Sequence, residues 1–171
     1  MAGHSPTDDP ATIDKAVLLE RLRQSAADEL EQVTASQQAT AAGATHAESR
    51  PENDKDTRAL ESSYLARGLA SRVQDMRDAV AVLERLALRE FDDETPIALT
   101  ALVTLEDEQG QVHHFVAPAA GGQRLQVGEA VISVVTPRSP LGKVLIGKYA
   151  GDDVDVRTPS GTRFFSVAAV R

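Results

Sequence analysis

The chain has 171 residues, no cysteine and a formal net charge of −8 at pH 7. Without cysteine it has neither disulfides nor thiolate zinc sites, and its negative charge disfavours unaided binding to a phosphate backbone, including sequence-specific binding to DNA. No stretch approaches the roughly 18 consecutive apolar residues of a membrane span, and the first residues lack the apolar run of a secretory signal. We therefore expect a cytoplasmic protein with no membrane partner.

The composition changes near residue 93. Residues 1–93 contain 18 acidic and 11 basic side chains and are rich in Ala, Leu, Glu, Gln and Arg, whereas residues 94–171 contain 8 and 7 and are rich in Val, Ile, Thr, Gly and Pro. Helix formers thus precede strand formers. We predict a disordered arm at 1–11, a helical hairpin at 12–93 and a sheet domain at 94–171.

Two long helices are predicted in the first part of the chain. Asp14 follows Thr12, a predicted N-cap, and apolar residues then recur at steps of three or four: Leu19, Leu22, Ala26, Leu30 and Val33. The second run keeps the three-four alternation of a heptad seam for longer: Ala59, Ser62, Ala66, Leu69, Val73, Met76, Val80, Leu83 and Ala87. Each helix has about 30 residues and hence a length of roughly 45 Å.

Each predicted helix has one apolar stripe, which must be buried. The simplest partner is the other helix, folded back antiparallel through a connection at 43–57. Gly43 is predicted to end the first helix, and Asp56 or Thr57 to cap the second. Dimerisation through the same seam, as in a coiled-coil scaffold protein, is the alternative, and the mass in solution separates the two. We expect a monomer.

The connection between the helices is rich in acids. The stretch "ESRPENDKDTRALE", residues 48–61, has no apolar side chain before Ala59. One interpretation is a solvated turn, since acids stabilise the start of a helix through its dipole. The other is delivery of carboxylates to a cation, because Mg²⁺ takes one or two protein carboxylates and keeps several waters. The candidate acids are Glu52, Asp54 and Asp56. Two basic residues of the same stretch, Lys55 and Arg58, are candidates for contacts at the tip, including contacts with these carboxylates.

The second part predicts strands. The segment "IALTALVTLED" alternates, "EQGQ" is typical of a hairpin turn, "VHHFVAP" returns, "LQVGEAVISVVT" gives one strand or two, and "VDVRTPSGTRFFSVAAV" predicts a final hairpin. The segment "SPLGKVLIGK" predicts a short helix with Ser139 at the N-cap and Pro140 at the first helical position. Adjacent His113 and His114 point to opposite faces, which excludes a shared metal site on the strand. The fold class is α+β, with a helical hairpin followed by an antiparallel sheet and one short helix.

Catalytic motifs are absent from the sequence. The chain has no cysteine nucleophile, P-loop or HExxH motif, and no helix directly follows "AAGG" to build a phosphate site. We therefore expect a protein that is not an enzyme and that has no cofactor or metal of its own.

Residues 134–170, "VVTPRSPLGKVLIGKYAGDDVDVRTPSGTRFFSVAAV", carry a specific pattern. A serine-proline pair opens a short helix, a leucine-rich turn leads to Gly-Lys, and Gly-Asp precedes a hairpin with Thr-Pro-x-Gly. The segment closely resembles the C-terminal part of the bacterial Gre (GreA/GreB) transcript cleavage factors, and the order of hairpin and sheet domain agrees. The matching residues follow in order without a gap: Ser139, Pro140, Leu145, Gly147, Lys148, Gly151, Asp152, Val154, Val156, Thr158, Pro159 and Gly161.

The resemblance implies an FKBP-like fold for residues 94–171. In that family this domain docks at the rim of the secondary channel of RNA polymerase, and the coiled coil enters the channel. Acids at the hairpin tip help to hold the second Mg²⁺ of the polymerase, which then hydrolyses backtracked RNA through a two-metal site. The resemblance thus implies a transcription elongation factor that binds RNA polymerase, shares its Mg²⁺ and meets nascent RNA only indirectly.

The tip differs from the family pattern, which has an Asp, two further residues, Glu-Asn and a nearby Tyr. When Arg72 and Val73 are aligned with the family's Arg-Ile, Glu52 falls on the Asp and Lys55 on the Glu, where a lysine repels Mg²⁺. The flanking aspartates can substitute after a small shift. The tip also resembles, loosely, that of DksA-type secondary-channel proteins, which modulate initiation. The alternative function is therefore a secondary-channel regulator without cleavage activity, either an inhibitor or an initiation modulator.

The candidates for docking to the polymerase lie at the start of the short helix: Arg138, Ser139 and Pro140. The structural interpretation is that Ser139 only caps this helix, which covers the sheet with Leu141, Val144, Leu145 and Ile146. A prolyl isomerase is a further alternative, since FKBP enzymes share the implied fold. Against it, those enzymes use an aromatic cluster that includes Trp, whereas this domain has no Trp and offers only Phe115, Tyr149, Phe164 and Phe165.

Overall fold

The structure, a computed structural model, describes residues 13–48, 57–158 and 161–171. The described residues form two compact units, which we call the helical unit (23–81) and the sheet unit (13–22 together with 82–171). The predicted arm at 1–11 lies outside the described residues. The two units meet at residues 22–23 and 81–82, and neither boundary coincides with the composition change near residue 93. The domain limits predicted from composition therefore stay a prediction.

Helix α1 spans Lys15–Glu48. Asp14 caps it, because its Oδ1 atom accepts hydrogen bonds from the backbone N–H groups of Ala16, at 2.8 Å, and Val17, at 3.4 Å. The prediction that Gly43 ends this helix is wrong, since α1 continues to Glu48. A glycine inside a helix costs only about 1 kcal/mol relative to alanine, and its neighbours in "ATAAGATHAE" are mostly good helix formers.

Helix α2 spans Thr57–Glu84. The connection between the helices is therefore 49–56, shorter than the predicted 43–57, and it lies outside the described residues. The prediction that Asp56 caps α2 falls in this connection. The helix ends before Ala87, which is exposed beyond the helix rather than part of the seam.

The two helices bury part of their predicted seams within the helical unit. Ala26 on α1 and Val73 on α2 are buried there. The guanidinium of Arg72, in the second half of α2, lies 3.5 Å from the carboxylate of Glu29, in the first half of α1. This pairing is antiparallel, as the sequence predicts, and an exposed ion pair of this kind stabilises it by less than about 1 kcal/mol.

The described residues of the sheet unit form a six-stranded sheet in the order β3-β4-β2-β1-β6-β5. The strands are β1 (Leu102–Asp107), β2 (Gly110–Val116), β3 (Arg124–Val127), β4 (Ala130–Val135), β5 (Asp153–Thr158) and β6 (Gly161–Val170). The α+β class is confirmed, and "LQVGEAVISVVT" forms two strands. The prediction of a purely antiparallel sheet is wrong, because β2 and β4 pair in parallel. Strand β3 takes the outer edge after the 117–123 loop, so the returning strand β4 lies beside β2 and runs in the same direction.

Both faces of the sheet are buried in part. One face forms a core cluster with the short helix α3 (Pro140–Leu145), in which Val103, Val116 and Leu145 are at most 1% exposed. The alternating positions Leu102, Phe115 and Ile132 point to the other face and are also at most 1% exposed. Within this unit, the start of α1 contacts β3, since Arg21 Nη1 donates a hydrogen bond to the backbone carbonyl of Gln126 at 2.6 Å. In the described part of the chain, no helix combines the length and the apolar character needed to cross a membrane.

Candidate functional site

The turn before α3 has a tightly defined backbone. Ser139 caps the helix: its Oγ atom accepts a hydrogen bond from the backbone N–H of Gly142 at 3.0 Å and donates one to the carbonyl of Thr136 at 2.8 Å. Pro140 occupies the first turn, where its missing N–H has no helical partner to lose. The predicted capping role of Ser139 is confirmed.

Gly142 packs closely against the backbone of the preceding turn. A Cβ atom added at Gly142 would lie 1.9 Å from the carbonyl oxygen of Thr136, so only glycine fits this approach. Leu145 then anchors the helix in the core with no exposed surface, whereas the prediction that Ile146 covers the sheet is wrong because its side chain is 41% exposed. Ile146 lies just past the last helical residue, where the backbone turns away.

The turn presents Arg138 and Pro140 to solvent, while Ser139 is half-buried. The three predicted docking residues are therefore consecutive on a hydrogen-bonded surface turn, and two of them are exposed. Their docking role stays a prediction. The predicted tip residues Glu52, Asp54, Lys55 and Asp56 lie outside the described residues, and Arg58 belongs to the first turn of α2.

A groove of about 740 Å³ lies on the α3 side of the sheet. We call it the sheet groove. It lies within the sheet unit and is lined by residues of β2, β3, β4, β5, β6 and α3, with Val112, Leu141, Val156 and Phe165 among its apolar lining. Its size falls within the range of about 300–1,000 Å³ that is typical of ligand sites.

The polar lining of the groove is cationic. Arg124, Arg157 and Arg163 line it together with His114, and no acidic residue is among its described lining. Arg124 and His114 share one row of the sheet, because each lies opposite Ser133 in the strand register. These four residues were not predicted as a set from the sequence. The available signal was the strand alternation that places His114 and Val112 on one face, but the strand order needed to join them to Arg124 is not local.

Arg163 is held by its neighbours. Its guanidinium forms an ion pair with the carboxylate of Asp107 and lies 4.7 Å from the centre of the Phe165 ring. The backbone N–H of Gln109, together with Arg163, lowers the pKa of Asp107 from its ordinary value. Asp107 therefore compensates the charge of Arg163, and Arg124 and Arg157 form no ion pair with any described residue.

The two adjacent histidines point to opposite faces, as predicted. The Nδ1 atom of His113 lies 3.1 Å from the hydroxyl of Thr104, on the buried face away from the groove. His114 lines the groove, and its buried Nδ1 atom has no hydrogen-bond partner among the described residues. Burial, and then repulsion by His113, lowers the pKa of His114 to about 4, so its ring is neutral at pH 7.

Comparison with known proteins shows which protein family the sheet unit resembles. Residues 93–171 match the family described as "Transcription elongation factor, GreA/GreB, C-term". The chain is 29% identical to transcription elongation factor GreA of Rhodospirillum rubrum over 104 residues, which are 60% of this chain and 62% of that protein. It is 30% identical to GreA of Brucella canis over 120 residues, which are 70% of this chain and 71% of that protein.

The chain belongs to the GreA/GreB family of transcription elongation factors. It spans less than two thirds of the length of some of these relatives, including 63% of GreA from Syntrophobacter fumaroxidans, to which it is 32% identical over 60% of its own length. Among solved structures, it is similar to the crystal structure of GreA factor homolog 1 of Thermus thermophilus, with 22% identity, a TM-score of 0.38, and coverage of 87% of this chain and 94% of that one.

Proposed function

We propose that the protein binds RNA polymerase through the secondary channel and modulates elongation with the acids of its hairpin connection. The observation that carries this proposal is the combination of a sheet unit that matches the Gre family with two long helices whose connection, 49–56, is acidic. Helix α1 has 34 residues, which gives about 51 Å at 1.5 Å per residue. Helices of this length suit entry into a deep channel.

In this proposal the protein is not an enzyme. Glu52, Asp54 and Asp56 bring carboxylate oxygens towards the Mg²⁺ of the polymerase active site, and oxygen ligands are those that Mg²⁺ prefers. When bound, the metal pair would supply an activated water for hydrolysis of backtracked RNA. Arg138 and Pro140 on the exposed turn contact the polymerase surface, and Ser139 holds that turn in place. Nascent RNA is met only indirectly.

The test uses backtracked elongation complexes and the full chain. We expect Asp54→Ala combined with Asp56→Ala to abolish RNA shortening while leaving polymerase affinity within about twofold, because a tip that only supplies carboxylates adds little to docking. The matched control is Glu31→Ala with Asp75→Ala, which removes the same charge from exposed helix positions. If the tip variant loses polymerase binding and the control does not, the tip is a docking element and the carboxylate role is wrong.

A second candidate function rests on Lys55. This residue falls where the family pattern has a glutamate, and a cation at that point opposes Mg²⁺ binding. A regulator without cleavage activity would bind the polymerase and leave backtracked RNA intact. We expect Lys55→Glu to raise the cleavage rate if Lys55 limits the metal site. An unchanged rate in this variant, with cleavage by the unaltered protein, would remove Lys55 from the argument.

A further inference from the structure

We propose that the exposed Phe164 ring and the acids around it bind an extended, arginine-containing segment of a protein partner. The surface lies at β5, β6 and the turn between β1 and β2. We call it the Phe164 surface, and its members are Glu108, Asp153, Asp155, Phe164 and Ser166. It includes neither the hairpin connection nor the turn before α3. The inference therefore goes beyond the proposed function, and its test is independent of the cleavage assay.

Phe164 is the most exposed large apolar side chain in the described part of the chain, at 72%. Its neighbour Phe165 belongs to the core cluster on the α3 side of the sheet, so Phe164 points to the opposite face. That opposite face is buried on β1 and β2, where Leu102 and Phe115 are at most 1% exposed, but on β6 it is open, and Ser166 is exposed there as well. The Phe164 ring is thus an uncovered part of a sheet face that is otherwise packed.

Two depressions adjoin the Phe164 ring. The larger has a volume of about 460 Å³ and is lined by Phe164 together with Asp153 and Asp155. The smaller has a volume of about 250 Å³ and is lined by Phe164 together with Glu108 and Gln109. Because β5 is an edge strand, no described strand closes the larger depression on that side. The surface therefore has room beside the ring for the side chains of an extended occupant.

The charges at this surface favour a cationic occupant. Glu108, Asp153 and Asp155 are exposed and form no ion pair with any described residue. No basic side chain is among the described lining of the larger depression, and Arg157, the basic residue of β5, lies two positions beyond Asp155 and outside that lining. Acids placed in this way repel a phosphate backbone and also repel the same surface of a second copy of the chain.

The neighbouring aromatic residue shows how a cation binds in such a setting. The guanidinium of Arg163 lies 4.7 Å from the centre of the Phe165 ring and also forms an ion pair with Asp107. Phe164 likewise has an aromatic face near carboxylates, but no described cation of the chain lies over its ring. An incoming guanidinium can make both contacts at once, since arginine stacks on aromatic faces and pairs with carboxylates.

The spacing of the acids favours a peptide over a small cation. Asp153 and Asp155 point to the same face two residues apart, which is about 7 Å along a strand. Alternate side chains of an extended peptide repeat at the same distance, so arginines at positions i and i+2 meet both acids. A metal ion is disfavoured, because among the described residues no group of three or more His, Asp or Glu side chains is arranged to hold one.

The experiment titrates the isotope-labelled full chain with hexapeptides and follows its amide resonances by NMR. The probe TRTRTR, with blocked ends, is compared with TQTQTQ, which lacks the charges, and with spermidine, which has the same charge and no peptide backbone. We expect TRTRTR to bind at least about tenfold more tightly than either control and to bind more weakly as salt is added. The largest shifts should fall on Asp155, Phe164 and Ser166.

Three results of this titration overturn the proposal. Equal binding of spermidine identifies a simple cation site. Shifts confined to the helical unit or to the hairpin connection place the peptide elsewhere on this acidic chain. Absence of saturation at about 5 mM TRTRTR, as an order-of-magnitude limit, shows that the surface does not bind such a segment.

Variants of the protein locate the site. Asp153→Asn with Asp155→Asn should raise the dissociation constant for TRTRTR about tenfold. Phe164→Leu should raise it about threefold, because leucine stays apolar but offers no aromatic face to a cation. The matched control, Asp93→Asn with Glu129→Gln, removes the same charge from exposed positions outside the surface and should leave binding unchanged. An equal loss in the control shows that only the net charge of the chain attracts the peptide, and unchanged binding by the leucine variant removes the aromatic contact; either result overturns the proposal.

Discussion

The burial of His114 predicts a specific pH dependence of stability. The pKa of this histidine is lowered to about 4 in the folded chain, against about 6.5 for an unfolded histidine. The unfolded state therefore binds more protons between these two values, and stability rises with pH across this window. Stability is fully present above pH 6.5 and is lost progressively as the pH falls towards 4.

The size of the effect follows from the two pKa values. Between pH 7 and pH 5, protonation of the unfolded histidine reduces the free energy of unfolding by about 2 kcal/mol, and by about 3 kcal/mol at pH 4. Two causes set this pKa, burial first and the nearby charges of His113 and Arg163 after it. The backbone of Ser133 acts in the opposite direction and raises the pKa of His114, but it does not cancel them.

The assay compares the unaltered protein with His114→Gln, which has no titrating group at this position. Urea unfolding is followed through the methyl resonances of Val116 and Val135, both buried in the sheet unit. We expect the unaltered protein to lose about 2 kcal/mol more than the variant between pH 7 and pH 5. An equal loss in both proteins, or an imidazole resonance of His114 that titrates near pH 6.5, would refute the reasoning.

Further predictions concern the turn before α3 and the helical unit. Gly142→Ala should destabilise the sheet unit by about 2 kcal/mol, because its new methyl group would lie 1.9 Å from the carbonyl oxygen of Thr136. Gly68→Ala, at an open helical position with nothing within 4 Å, should instead stabilise α2 by about 1 kcal/mol, and urea unfolding compares the two. Ser139→Ala should cost about 1 kcal/mol through loss of the N-cap, and Ser139→Asp should recover most of it; failure of the aspartate variant to recover stability would contradict the capping role.

Local chemistry explains most of what could be predicted from the sequence. The N-cap Ser139, the turn at 108–109 and the order of helices and strands depend on residues within a few positions of one another. The family pattern at 134–170 is also a local signal, and it pointed to the GreA/GreB family that the comparisons establish. The end of the first helix could not be predicted in this way. Gly43 lowers helix stability only modestly, and the helix-forming residues around it outweigh that cost.

The sequence by itself determined the order of helices and strands, part of the helical seams and the family to which the chain belongs, because each of these depends on side chains close together along the chain. Only the tertiary structure decided that β4 lies parallel to β2, that Arg124 and His114 share a row, and that the Nδ1 atom of His114 is buried in a cationic groove. These features depend on which strands become neighbours. That choice is made by packing between distant segments, and no local pattern encodes it.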